Sequence, residues 1–225
     1  MTWLMKLRIL QADALPVLLV CLLTMYGVRA ESPGQFEPGI KSGRNFLGQA
    51  PAYSGMSFAV IVFRDVGWSE VEVTAVIAEA SRVYARNCRF TLDVTGIRFI
   101  EVDARLHHLD EAMQQRLLVE LGDIDRPIVF FIGATSANDA AYAYLQGTVS
   151  PGQGTAWLSR QATKQCRGPL LAHEIGHIAL QASRHSRQPG NLMRDSCHSS
   201  NISNQSINTD LNQQQCQTLW SRYTP

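Results

Sequence analysis

Hydrophobic positions along this chain fall into blocks of two different periods. "SFAVIVFRD", at residues 57–65, is a short apolar run ending in charge, and it predicts a strand. "WSEVEVTAVIAEASRVYARNC" follows, with Val73, Val76, Ile77, Ala80, Val83 and Tyr84 at helical spacing, which predicts a long helix with one buried face. Its β-branched content is high for a helix, but length and the 3.6-residue period decide the assignment. Ser69, with Glu72 three residues on, forms a capping-box signature at its start. "FTLDVTGIRFIEV" predicts one or two strands, "HLDEAMQQRLLVEL" a second, exposed helix, and "RPIVFFIG" a buried strand. In "AYAYLQG" small and aromatic residues alternate as on a half-exposed strand, and "TAWLS", beyond Gly152 and Gly154, is its expected neighbour. "GPLLAHEIGHIALQ" predicts a buried helix. A Ser/Asn/Gln-rich loop then leads to "TDLNQQQCQTLWSRY", a closing helix with Thr209 as the expected cap. The order predicts an α+β fold: a twisted mixed sheet of about four to five strands with three principal helices.

The first residues break this pattern. "MTWLMKLRIL" carries Lys6 and Arg8, "ALPVLLVCLLTMYG" is apolar, and "VRA" precedes Glu31. A basic start, a short apolar middle and a small-residue exit predict a signal peptide over residues 1–30, cut after Ala30. The apolar run is shorter than the ~20 residues that cross a bilayer, so no lasting membrane insertion is expected. Residues 31–55, rich in Gly and Pro without a sustained period, predict a flexible lead-in to a single domain over 56–225. That lead-in holds no cysteine with which to silence a metal. The expected location is secreted or periplasmic.

Composition narrows the partners. The chain of 225 residues is 45% hydrophobic with a formal charge of +1, which suits one core and gives no electrostatic draw toward nucleic acid. A monomer acting on protein or peptide is expected. Export changes the reading of the cysteines, because Cys21 leaves with the leader and Cys88, Cys166, Cys197 and Cys216 remain. Four cysteines in an oxidising compartment predict two disulfides with three connectivities open. Cys197–Cys216, closing a short polar loop, together with Cys88–Cys166, is the preferred set. A zinc–thiolate site lacks the C-x-x-C spacing it would need.

The chemistry concentrates in "HEIGHIALQASRH". Residues four apart share a helix face, so His173 and His177 can offer two imidazoles to one cation. Glu174 sits beside them, turned around the helix, where it can serve a water without being a ligand; this is the H-E-x-x-H arrangement. Leu170, Leu171, Ile175 and Ile178 mark the helix as buried, where unpaired polar groups would be costly. One zinc ion is the expected cofactor. A third protein ligand is needed, and no glutamate follows Glu174, which excludes zinc peptidases with a downstream glutamate ligand. His185, His198, Asp195 and Asp210 remain. His185 lies eight residues past His177, a rise of ~12 Å along a continued helix, so it reaches the metal only if the chain doubles back. His107 and His108, ahead of a polar helix, are expected to be solvated.

"HEIGH", a later histidine and then "HSRQPGNLM" resemble the metzincin zinc endopeptidases, the matrixins in particular. The specific part of the resemblance is residues 173–193, and its general part runs from residue 57 to the C-terminus. It implies a zincin-like domain with His173, His177 and His185 as metal ligands, Glu174 as general base and Met193 as the methionine of the turn beneath the metal. It also implies that the strand of Tyr142 and Tyr144 is the edge on which a substrate is laid antiparallel. The chain departs from the family at Leu180, where the family has its turn glycine, and at Ser183, where its third histidine falls. The spacer before His185 is two residues longer, which predicts a helix running somewhat further before a different turn. The expected activity is zinc-dependent endopeptidase. The alternative is a catalytically silent, peptidase-like zinc module of an envelope or secretion assembly.

Overall fold

Each apolar block becomes an element at close to its expected place. The computed structural model describes residues 51, 54–122, 124–135, 141–144, 154–194 and 207–224, all within the compact unit Arg44–Pro225. The expected leader and nearly all of the lead-in fall outside the described residues. In chain order the strands are β1 (Gly55–Phe63), β2 (Thr91–Ile100), β3 (His108–Leu109), β4 (Ile128–Ile132), β5 (Ala134–Thr135), β6 (Ala141–Tyr144) and β7 (Thr155–Ser159). The α-helices are α1 (Glu70–Cys88), α2 (Glu111–Leu121), α3 (Arg167–Leu180) and α4 (Gln213–Tyr223). Five strands form one mixed sheet in the order β2–β1–β4–β7–β6, and β3 pairs with β5 apart from it. The ladders are parallel except the last, where β6 runs antiparallel on β7. Among the described residues no helix is long and apolar enough to cross a membrane.

Strand register gives the sheet two unlike faces. Ile61, Phe130, Trp157 and Tyr142 align as cross-strand neighbours on one face. There the rings of Phe130 and Trp157 stack at 4.0 Å and the cluster takes in Leu117 and Leu118 of α2. The next row, Val60, Val129, Ala156 and Ala143, faces the other way. It belongs to the larger core with α1, α3 and α4. Alanines at 141, 143 and 156 keep that face low where α3 lies, so a helix backbone can come close to the sheet. All fourteen residues of α3 are buried, which is why its apolar positions run around the whole helix rather than along one stripe.

The helix α1 follows expectation in detail. Ser69 and Glu72 form the capping box, and Val73, Val76, Ile77, Ala80, Val83 and Tyr84 are buried. Other expectations need correction. The second helix begins at Glu111, capped by Asp110, and it is not fully exposed: Gln114, Leu117 and Leu118 are buried. The closing helix is capped by Asn212, reciprocally with Gln215, and not by Thr209, whose hydroxyl accepts from Arg86. His107 is half-buried rather than solvated, with Nε2 enclosed and without a hydrogen-bond partner among the described residues. The preferred disulfide set is also wrong. Cys88, the last residue of α1, is bonded to Cys216 in the first turn of α4, so neither Cys197–Cys216 nor Cys88–Cys166 forms. Cys166 is disulfide-bonded as well, while Cys197 lies outside the described residues.

Candidate metal centre

Helix α3 carries His173, Glu174 and His177, which are 3%, 3% and 8% exposed. Burial this deep needs a compensating partner for each polar group. His173 Nδ1 donates to the carbonyl of Leu192 at 2.6 Å, and His177 Nδ1 donates to the carbonyl of Ala182. A carbonyl can only accept, so in each ring the proton sits on Nδ1 and Nε2 presents a lone pair. These Nε2 atoms face one another at 3.0 Å, and His177 Nε2 lies 3.2 Å from His185 Nε2. The three ligand atoms lie within 4.8 Å of one another.

Two lone pairs at that separation repel unless a cation lies between them. A tetrahedral ion with bonds of about 2.0–2.1 Å would hold its nitrogens some ~3.3 Å apart, close to what the rings adopt. Three imidazoles, two of them with a carbonyl behind the ring, form a donor set of the kind zinc takes, and one coordination position is left for a non-protein ligand. The donor set fits zinc.

The chain reverses as the long spacer requires. α3 ends at Leu180, and Gln181 takes the left-handed conformation at φ 50°, ψ 44°. A glycine there would avoid the ~1 kcal/mol cost of that geometry. The turn closes with Ala182 N–H donating to the His177 carbonyl at 3.2 Å, and the same turn brings the Ala182 carbonyl onto the ring of His177. The reversal and the orientation of the second imidazole are thus one piece of backbone. The helix therefore ends at the position where the family has its glycine, and the left-handed residue comes one later. The rest of the longer spacer is loop, and exposed His185 returns to the other two histidines.

Met193 packs against α3 and lines one space together with His185. Its backbone N–H bonds Asn191 Oδ1 at 3.0 Å and its carbonyl accepts from Ser186 N–H at 2.7 Å. Its sulfur lies 2.5 Å from where a Cβ on Gly176 would stand. Gly176 is thus the residue that admits the methionine against α3. Asn191 in turn exchanges side-chain hydrogen bonds with Gln215 at the start of α4, at 2.8 and 3.2 Å. Beside the methionine, on the same Gly176 side of α3, Tyr84 Oη donates to the Ala172 carbonyl at 2.8 Å. Burial first, then nearby Tyr223 and Glu174, holds this phenol well above its ordinary pKa, so it remains a donor. The carbonyls of Leu192 and Ala182, Gly176 and Tyr84 were not singled out by sequence reasoning. Only the glycine left a signal, since a glycine inside a buried helix marks a close approach.

The edge strand needs a closer description. β6 ends the sheet order, but the ring of Tyr142 stacks on Trp157 at 6.2 Å. That is the face opposite α3, while Ala141 and Ala143 join the core that holds the helix. The side chain of Tyr144 is outside the described residues, as are those of Asp195 and His198.

No protein-family model matches the chain, and no curated protein matches it. Solved structures do. Metalloproteinase-II from Bacteroides fragilis superposes with a TM-score of 0.54 at 16% identity, covering 78% of this chain and 55% of its own. Archaemetzincin from Methanopyrus kandleri superposes at 0.51 with 11% identity, covering 75% of this chain and 96% of its own. The fold is zincin-like. Identities this low speak for the fold alone, and the chain spans about half the length of the Bacteroides protein. Within the zincin-like fold, the three-histidine cluster is where a metal would bind.

Proposed function

We propose that the chain is an exported zinc endopeptidase of metzincin type, matrixin-like around its turn, with one catalytic ion held by His173, His177 and His185. The observation that carries this reading is the convergence of three Nε2 atoms, two of them with their proton fixed on the other ring nitrogen, beside a buried carboxylate. A bound zinc ion supplies Lewis acidity, which polarises a scissile carbonyl and makes a water easier to deprotonate. Glu174 acts as general base, accepting the proton of the attacking water and delivering it to the departing amine. Burial of Glu174 keeps its carboxylate from being spent on bulk solvent. Met193 contributes packing, not chemistry. The backbone of β6 receives an extended substrate by antiparallel pairing, and Tyr142 supports that strand from the far face. Disulfide-bonded cysteines favour an oxidising compartment, in keeping with the leader expected over residues 1–30.

The decisive variant is Glu174→Gln, which keeps shape and removes the base. Zinc-loaded wild type is expected to cleave an unstructured protein such as casein, and Glu174→Gln to lose about 100-fold or more of kcat with zinc content retained. Chelation is expected to abolish cleavage reversibly. A zinc-replete wild type that cleaves nothing would move the assignment to the silent zinc-binding module, and a variant of equal rate would remove Glu174 from the role of base.

A further inference from the structure

Among the described residues, the charged side chains that flank His185 and Met193 in sequence are arginines. Arg184 precedes His185, Arg187 follows it by two residues, and Arg194 follows Met193. All three are exposed, and none has an ion-pair partner among the described residues. Asp210, whose backbone bridges to Asn191 of the turn, faces Arg86 at 4.0 Å, and Glu174 is buried. Unpaired guanidinium groups on these segments contribute a positive field that draws carboxylates.

One of the three also lines a cavity. A space of about 220 Å³ opens beside His185, with Leu180, Ala182 and Met193 as its apolar wall and Arg184 and Gln214 among its polar residues. The hydroxyl of Thr218, also in the lining, already donates to the Gln214 carbonyl. Arg184 is therefore the side chain that brings a fixed charge to the lining. An apolar wall beneath a planar cation suits a side chain with methylenes and a terminal carboxylate, which a guanidinium can hold by two parallel hydrogen bonds. A lysine seated there would meet like charge with no acid to receive it.

We propose that this cavity is a specificity subsite that selects peptides carrying a glutamate side chain, with Arg184 as the selecting residue. The inference rests on the peptidase reading and adds the chemical class of its substrates. Electrostatic selection makes two demands. Discrimination must weaken as salt shortens the screening length from ~10 Å at 0.1 M to ~3 Å at 1 M, and it must invert when the cation is reversed.

The test uses the full zinc-loaded chain and a library of C-terminally amidated peptides that differ only by Glu, Gln or Lys at one position, scanned along the sequence. At one position kcat/KM is expected to favour Glu over Lys by about five- to tenfold, with Gln between. Arg184→Glu should reverse that order, and Arg184→Lys should restore most of it. In parallel, zinc-loaded Glu174→Ala protein is titrated with the labelled Glu and Lys peptides by fluorescence anisotropy, which reads selection without cleavage. Efficient cleavage with equal rates for Glu and Lys at every position overturns the subsite and leaves the peptidase standing. Absence of cleavage counts against the peptidase reading, and the anisotropy then decides the subsite: equal affinities dispose of it. Preference unchanged in Arg184→Glu would mean that these arginines are only solvated.

Discussion

At the scale of single residues, Gly176 shows how closely the centre is fitted. A Cβ there would stand 2.5 Å from the sulfur of Met193 and 3.1 Å from Tyr84 Oη. Alanine favours a helix by ~1 kcal/mol over glycine, yet forcing a methyl into a filled core costs ~1–3 kcal/mol. Because Leu192, adjacent to Met193, holds His173 by its carbonyl, displacement of the methionine reaches that imidazole directly. Gly176→Ala is expected to lower stability by ~1–2 kcal/mol and to weaken zinc binding in competition with a chelator. A raised melting temperature with zinc affinity intact would show that the methionine can move aside freely. His173, Glu174 and His177 were legible in the sequence because helical spacing alone places them together. The carbonyls that orient the imidazoles were not, since every residue carries one and only the folded path selects Leu192 and Ala182. Nor could the longer spacer reveal that Gln181 would take the left-handed turn, because glutamine carries no signal for it.

At the scale of elements, the capping box of α1 reaches beyond its own helix. Glu72 accepts from Ser69 at the cap, and its other oxygen pairs with Arg160 at 2.8 Å and lies 3.5 Å from Arg167, the first residue of α3. Both guanidinium groups also lie over the ring of Trp68, at 4.8 and 4.7 Å. One carboxylate thus joins the start of α1 to the start of the helix that bears His173 and His177. The hydrogen bond from Arg160, followed by that from the Ser69 backbone, lowers the Glu72 pKa from 4.5 to about 2. A carboxylate depressed in the folded state adds stability that is complete above its unfolded value and fades as pH falls toward its folded one. Glutamine can still serve a capping box, so Glu72→Gln removes chiefly the charge. The variant is expected to melt below wild type at neutral pH, with the difference closing between pH 4.5 and about 2; a gap independent of pH would contradict the pairing. Where a helix needed only its own residues, as in the face and cap of α1, the sequence was enough. Where tertiary contacts chose between equivalent signals it was not. Thr209 and Asn212 are both good caps, and Arg86 takes the hydroxyl of the first while Gln215 completes the second.

At the scale of the whole molecule, the metal turn hangs on a relay from the C-terminal segment to α1. Leu192 N–H bonds the Asp210 carbonyl at 2.6 Å, and Gly190 accepts from Thr209 and Asp210. Asn87, near the end of α1, bonds the Thr209 carbonyl and receives Leu211 N–H. Trp220 Nε1 donates to the Cys88 carbonyl at 2.8 Å, and the Cys88–Cys216 bond fastens the same junction across a separation of 128 residues. The mixed sheet and its helices could be read from period and order, but this connectivity could not. Four cysteines allow three pairings, and the short polar loop favoured Cys197–Cys216, whereas docking of α4 against the end of α1 decided otherwise. Closing so long a loop restricts the unfolded chain, and its loss costs ~2–4 kcal/mol. The double variant Cys88→Ala/Cys216→Ala is expected to unfold at correspondingly lower denaturant concentration. Because the relay ends at Leu192, whose carbonyl orients His173, it is also expected to release zinc to a chelator faster than wild type while still folded. Equal zinc release at temperatures well below the melting transition would mean that the disulfide stabilises the fold without reaching the metal centre.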